Sequence, residues 1–239
     1  MHHLVYTWFM LLALMVFVVV RHFQPRSAEL ALLPWWQRLA LGVAAFVGGA
    51  LGAKAPFAFS NGEGWLSWSA WLTDGKTITT GLAGAYLLVE LTKLALGVRT
   101  KTGDTFALPL ALALVVGRWG CFFNGCCYGT PTSLPWGVDF GDGIRRHPTQ
   151  IYESLFHFGM AVVLIEIIRH AWFRYQRLKL YLIAYGVYRF LSEYIRPEPV
   201  AGLGLTFYQW LAILLVVGMA LHWLLDARRK RAEAMLAAA

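Results

Sequence analysis

Four polar side chains, Tyr185, Arg189, Glu193 and Arg196, recur at intervals of four, four and three residues in the stretch "YGVYRFLSEYIRPEP". At helical spacing they share one face, and a polar stripe of this kind needs a polar partner, because lipid cannot satisfy it. The chemistry on offer is anion binding. A guanidinium presents a planar fork of donors suited to phosphate and stays charged at any accessible pH. An Arg189–Glu193 pair serving structure alone is the plainer alternative; Tyr185 and Arg196, extending the stripe, favour a lined cavity.

A second group lies in "GRWGCFFNGCCYG", residues 117–129. Arg118 and Asn124 fall at the end of an apolar run, where the nearest phosphate belongs to a phospholipid. The structural alternative is an arginine that snorkels to headgroups or pairs with Glu193. A third group, "RRHPTQIYES", brings His147, Thr149, Gln150, Tyr152 and Glu153 to the entrance of the next run. His147 offers a general base, or else caps a loop fixed by Pro148. In "TITTGLAGAYLLVE", Gly81 and Gly84 suit close helix packing. The three cysteines, Cys121, Cys126 and Cys127, are spaced C-x4-C-C, with only His147 as an evident fourth ligand. Zinc sites favour C-x-x-C spacing and four ligands, so no metal site is expected. A Cys121–Cys126 disulfide is sterically possible, but a role as small buried hydrophobes is the expectation.

Positioning these groups falls to membrane helices. The chain is 58% hydrophobic and 14% charged, with a mean hydropathy of +0.54, which suits an all-α polytopic membrane protein and not a soluble domain. Its net charge of +8 is spread over short clusters between apolar runs, without the basic stripe of a nucleic-acid binder. The run from Leu4 to Val20 lacks a basic region ahead of it and a small-residue cleavage site after it, and reads as a retained helix. Seven spans are predicted, near 4–20, 39–59, 78–96, 105–123, 151–168, 180–196 and 205–225, in a single integral membrane domain over 1–239. The tryptophan-rich segment 64–72 is too short to span and suits an interfacial helix. Thirteen Lys and Arg fall in loops on one side and three on the other, so the N-terminus is expected outside and the C-terminus in the cytoplasm. Lys54, Arg118, Arg189, Glu193 and Arg196 then converge toward the outer leaflet, where ionisable groups within a span mark a functional site.

Taken in order, "GRWGCFFNGCCYGTPTSLPWGV", "RHPTQIYES", "YGVYRFLSEYIRPEP" and "GLTFYQWLA" resemble the bacterial prolipoprotein diacylglyceryl transferase family, over roughly residues 77–215. The first 75 residues match only as hydrophobic segments. The resemblance implies a seven-helix, multi-pass inner-membrane enzyme working on the periplasmic side without a cofactor. It would take the diacylglyceryl group from phosphatidylglycerol and attach it to the lipobox cysteine of a preprolipoprotein, leaving glycerol phosphate. Arg118 falls on the family arginine that contacts phosphate, Asn124 and Gly129 on its second asparagine and closing glycine, and Tyr185, Arg189 and Glu193 on its essential tyrosine, arginine and glutamate. Arg196 and Gln209 align with recurrent polar positions, and Gln150 belongs to the substrate-binding set. The chain departs from the pattern at Thr79, which replaces the family's histidine, and at Cys121 and Cys126, which replace an asparagine and a glutamate. The donor-handling residues are thus retained and those expected to activate the acceptor are altered. His147 becomes the substitute base. The alternatives are a paralogue using another acceptor and a non-catalytic lipid-binding or lipid-transport protein.

Overall fold

A computed structural model describes residues 2–24, 28–60 and 77–238. Its helices are α1 (His2–Phe23), α2 (Ala28–Leu32), α3 (Trp35–Ser60), α4 (Ile78–Ala95), α5 (Asp104–Phe123), α6 (Thr149–Arg169), α7 (Arg177–Ser192) and α8 (Phe207–Ala238). Five of them, α1, α3, α5, α6 and α8, are long and apolar enough to cross a membrane. Large side chains such as Trp8, Phe46 and Leu214 lie exposed on these helices, a surface suited to lipid and costly in water. The architecture is that of an all-α membrane protein. The expected interfacial segment 64–72 lies outside the described residues.

α5 packs between α1 and α6, α7 packs on α8, and α3 packs on α4. The buried core joins Ala107 and Ala111 of α5, Ala161 and Leu164 of α6, Tyr181, Leu182 and Tyr185 of α7, and Leu215 and Met219 of α8. Alanines on α5 let the tyrosines of α7 approach, so the phenols reach the middle of the bundle instead of lipid.

The α3–α4 contact rests on absent side chains. A Cβ on Gly84 would stand 2.4 Å from the Gly48 carbonyl oxygen, and one on Gly52 would stand 2.3 Å from that of Thr80. Both neighbours are helix backbone and cannot swing aside. Gly84→Val is therefore expected to force the helices apart and lower the thermal midpoint in detergent by about 5–10 °C; an unchanged melt would show that the helices are not in contact there.

The sixth predicted span departs from the sequence expectation. A continuous helix to 196 was predicted, but α7 ends at Ser192, a 3₁₀ turn covers Glu193–Ile195, and Arg196 is extended with φ −111°. Pro197 explains the break, since the residue before proline is driven out of the helical region. Glu193 keeps its place below Arg189, while Arg196 leaves the shared face.

Two short hairpins were not legible from hydrophobic periodicity. β1 (Val138–Asp139) pairs antiparallel with β2 (Arg145–Arg146), and β3 (Val200–Gly202) with β4 (Leu205–Thr206). The loop between α5 and α6 is tied down by Gly129 N–H donating to His147 O at 2.8 Å and by Thr130 N–H donating to Ile195 O at 2.9 Å. It forms a cap over one end of the bundle. Toward the opposite end, a polar cavity of about 560 Å³ is lined by Glu90, Lys101, Asp104, Lys179 and Asp226 among others; Lys179 and Lys101 both pair with Asp226 there.

Candidate functional site

Under the cap, three helices bring charged and phenolic groups together. α5 carries Arg118 near its C-terminal end, α6 carries Gln150, Glu153 and His157, and α7 carries Tyr181, Tyr185 and Arg189. Gln150, Glu153 and His157 follow at intervals of three and four, so they line one face of α6. Arg118 Nη2 pairs with Glu153 Oε1 at 2.5 Å, and the Tyr185 hydroxyl donates to the same oxygen at 2.9 Å. His157 Nε2 stands 3.8 Å from it, while His157 Nδ1 bonds the Tyr181 hydroxyl at 2.8 Å and the ring stacks on Tyr185. Arg118 is 7% exposed and Glu153 2%, so the pair is almost sealed from solvent.

Among the described residues, four buried side-chain atoms around the Arg118–Glu153 pair find no hydrogen-bond partner: Thr79 Oγ1, Arg118 Nε, Gln150 Oε1 and His157 Nε2. Thr79 nonetheless lies within electrostatic reach of the Tyr185 hydroxyl. Each unmatched polar atom costs about 1–3 kcal/mol, and native proteins rarely gather several without a reason. A polar ligand entering between α4, α5, α6 and α7 would supply the missing partners.

A second ion pair lies beside the first. Arg189 Nη1 meets Glu193 Oε2 at 2.5 Å, with both side chains buried. Glu193 Oε1 accepts from the Thr206 hydroxyl at 3.0 Å, and Gln209 Oε1 accepts from Thr206 N–H at 2.9 Å. The Arg189 guanidinium lies over the Tyr208 ring at 5.4 Å from its centre. Each arginine thus has its own carboxylate. Arg118 pairs with Glu153 and not with Glu193, the partner its structural alternative supposed. Beyond the helix end, burial and the Glu193 carboxylate push the Glu198 carboxyl up, against the pull of Arg196 and Arg189.

The remaining sequence-predicted groups lie in or against the cap. Asn124 caps α5. Gly129 is required by space, since a Cβ there would meet Ile195 O at 2.5 Å and His147 Cβ at 2.8 Å. Thr149 Oγ1 donates to Cys127 O and Gln150 Nε2 to Cys126 O, each at 2.6 Å. Arg196 Nη2 donates to Cys127 O at 3.2 Å. His147 is half-buried at the rim, with Nδ1 3.3 Å from the Tyr152 hydroxyl. Next to it, Trp119, Phe122, Trp136, Ile151, Tyr152 and Leu155 help to line an apolar groove of about 560 Å³.

Sequence reasoning left Glu153 as one of several groups at the entrance and did not single out His157, Tyr181 or Thr206. The signal for Glu153 and His157 was present: with Gln150 they follow at intervals of three and four, the helical spacing that also identified the stripe on α7. It was hidden because the reading stopped at Ser154.

A helical membrane protein with two buried arginine–carboxylate pairs beneath a loop cap is the class these features define. The chain belongs to the prolipoprotein diacylglyceryl transferase family, whose model matches residues 3–225; the match extends through the N-terminal segments that carry no recognisable motif. Among curated relatives, the phosphatidylglycerol–prolipoprotein diacylglyceryl transferase of Clostridioides difficile (strain 630) is 34% identical over 145 residues, covering 60% of this chain and 58% of the relative. That of Clostridium tetani (strain Massachusetts / E88) is 44% identical over 105 residues, 41% of this chain and 42% of the relative. That of Streptomyces griseus subsp. griseus (strain JCM 4626) is 32% identical over 181 residues, 71% of this chain and 55% of the relative. The chain spans about half the length of the curated relatives it matches.

Proposed function

We propose that this protein transfers the diacylglyceryl group of phosphatidylglycerol to a cysteine thiol of a prolipoprotein. The observation that carries this reading is the gathering of unmatched polar atoms around Arg118, Glu153 and Tyr185, beside a second buried arginine. An anionic headgroup supplies acceptors for Arg118 and Arg189. The apolar groove along α5 and α6 suits an acyl chain.

The reaction is nucleophilic substitution at the glycerol carbon. The acceptor sulfur forms the new C–S bond as the C–O bond to phosphate breaks, and glycerol phosphate leaves with the bonding pair. Negative charge grows on the departing phosphate, where Arg118 and Arg189 stabilise it. Glu153 and Glu193 hold the two guanidiniums in place, and Tyr185 fixes Glu153. Thr79 and Gln150 hydrogen-bond the donor. Asn124, Gly129 and Arg196 shape the cap above it. His147, at the rim, takes the thiol proton.

The same reading has α4 and α7 completing a seven-span bundle in one domain. The N-terminus is outside, the C-terminus is in the cytoplasm, and the site faces the periplasm from the inner membrane. The excess of basic residues in alternate loops supports that orientation.

Thr79 favours a second reading, in which the acceptor is another nucleophile. Incubating the purified protein with headgroup-labelled phosphatidylglycerol separates them. Release of glycerol phosphate only with a lipobox peptide supports thiol transfer. Release without peptide, with a new lipid product, supports the second reading. Binding with no release in either case would mark a lipid-binding protein that does no chemistry.

A further inference from the structure

The three cysteines, six residues apart at most in sequence, also meet in space. Their Sγ atoms all lie within 4.8 Å of one another, with those of Cys126 and Cys127 3.8 Å apart. Three thiolates on one ion at a metal–sulfur length of about 2.3 Å stand about 4 Å from each other. Small side-chain rotations therefore turn this cluster into a ligand set.

The backbone that carries the sulfurs is held from outside. Cys126 N–H donates to Cys121 O at 3.1 Å. Gln150, Thr149 and Arg196 grip the Cys126 and Cys127 carbonyls. Such outer hydrogen bonds are what orient metal ligands. Cys121 and Cys126 are half-buried and Cys127 is exposed, so the cluster is anchored on the protein side and accessible on the other. It also adjoins the donor site, since Arg118 Nη1 lies 4.0 Å from Cys121 Sγ. Among the described residues, no fourth His, Cys, Asp or Glu ligand atom joins the three sulfurs. Three protein ligands and a free fourth position is the arrangement of a catalytic zinc site, where structural sites close with four.

We propose that Cys121, Cys126 and Cys127 bind a thiophilic divalent ion of the zinc class, whose fourth position takes the acceptor thiol. This revises the expectation of no metal site, and it rests on the reading of the chain as a thiol transferase. Coordination makes the incoming thiol a thiolate, and its proton passes to His147. The metal-bound sulfur then attacks the glycerol carbon, and glycerol phosphate leaves as the C–O bond breaks. The thioether product has no charge to hold it on the ion and departs. No oxidant or reductant takes part. The two family positions occupied by Cys121 and Cys126 thus become an acceptor-activating site in a chain that has Thr79 where the family histidine stands.

The test is metal titration of the purified, reduced, full-length protein with Co(II) as the spectroscopic probe, and with Zn(II) and Cu(I) in parallel. The expected result is one equivalent of Co(II) with a sulfur-to-metal charge-transfer band and tetrahedral d–d bands, displaced by Zn(II). A lipobox peptide should shift the d–d bands, and its Cys→Ser form should not. Cys127→Ser should lose the charge-transfer band while keeping the wild-type melt. Equal Co(II) uptake by the Cys121→Ser/Cys126→Ser/Cys127→Ser variant would overturn the proposal. So would binding of Cu(I) alone, no response to the peptide thiol, or a disulfide among the three in the protein as isolated. None of these readings needs turnover. A peptide-responsive metal site without transferred lipid would uphold the site and sink the transferase reading, and transfer unaffected by the triple substitution would do the reverse.

Discussion

Arg118→Gln is expected to cut diacylglyceryl transfer by about 10²–10³-fold, the usual cost of removing one donor aimed at developing charge. It also strips the cation from Glu153, which is 2% exposed. Leaving a buried carboxylate alone destabilises by about 3–5 kcal/mol, so loss of activity in the single variant is ambiguous. Arg118→Gln/Glu153→Gln removes both charges and resolves it. The double variant should regain most of the lost thermal stability, because the neutral amides can still hydrogen-bond each other and Tyr185. Its transfer rate should stay at the level of the single variant. Recovery of turnover together with stability would reduce Arg118 to a structural role. Measuring melting temperature and glycerol phosphate release on the four proteins of this cycle gives both numbers.

Arg189→Lys carries the second large effect. Lysine keeps the positive charge beside Glu193, so the pair that is buried at 2.5 Å survives and the protein should fold. What is lost is the planar fork, which lets one group hold a carboxylate and a phosphate at once. Transfer should fall by at least about 10²-fold with the melting temperature within a few degrees of wild type. Arg189→Ala is a poorer probe, since Glu193 would be left buried and alone. Wild-type turnover in the lysine variant would remove Arg189 from the phosphate site.

The stripe on α7 was legible because its spacing survives in the structure: Tyr185 and Arg189 are buried on one face, with Glu193 following in the 3₁₀ turn. Gly81 and Gly84 were legible for the same reason, as small residues at helical spacing, and they meet α3 backbone to backbone. Partner choice was not legible. Arg118 lies 35 residues from Glu153 in sequence, and only the packing of α5 on α6 decides that this carboxylate, and not Glu193, neutralises it. Arg196 was misplaced because periodicity was carried up to the residue before Pro197, which the proline drives out of the helical region. The cysteines were read from sequence spacing alone, whereas the turn at Cys127, with φ 66°, brings the sulfurs together in space.

The central claim is transfer of lipid to a thiol, and intact mass of the acceptor tests it most directly. A lipobox peptide incubated with the purified protein and phosphatidylglycerol should gain the mass of one diacylglyceryl group and lose its free thiol. A Cys→Ser peptide should stay unchanged. A lipobox peptide that keeps its mass and its thiol, with protein that is folded and loaded with phosphatidylglycerol, would contradict the account.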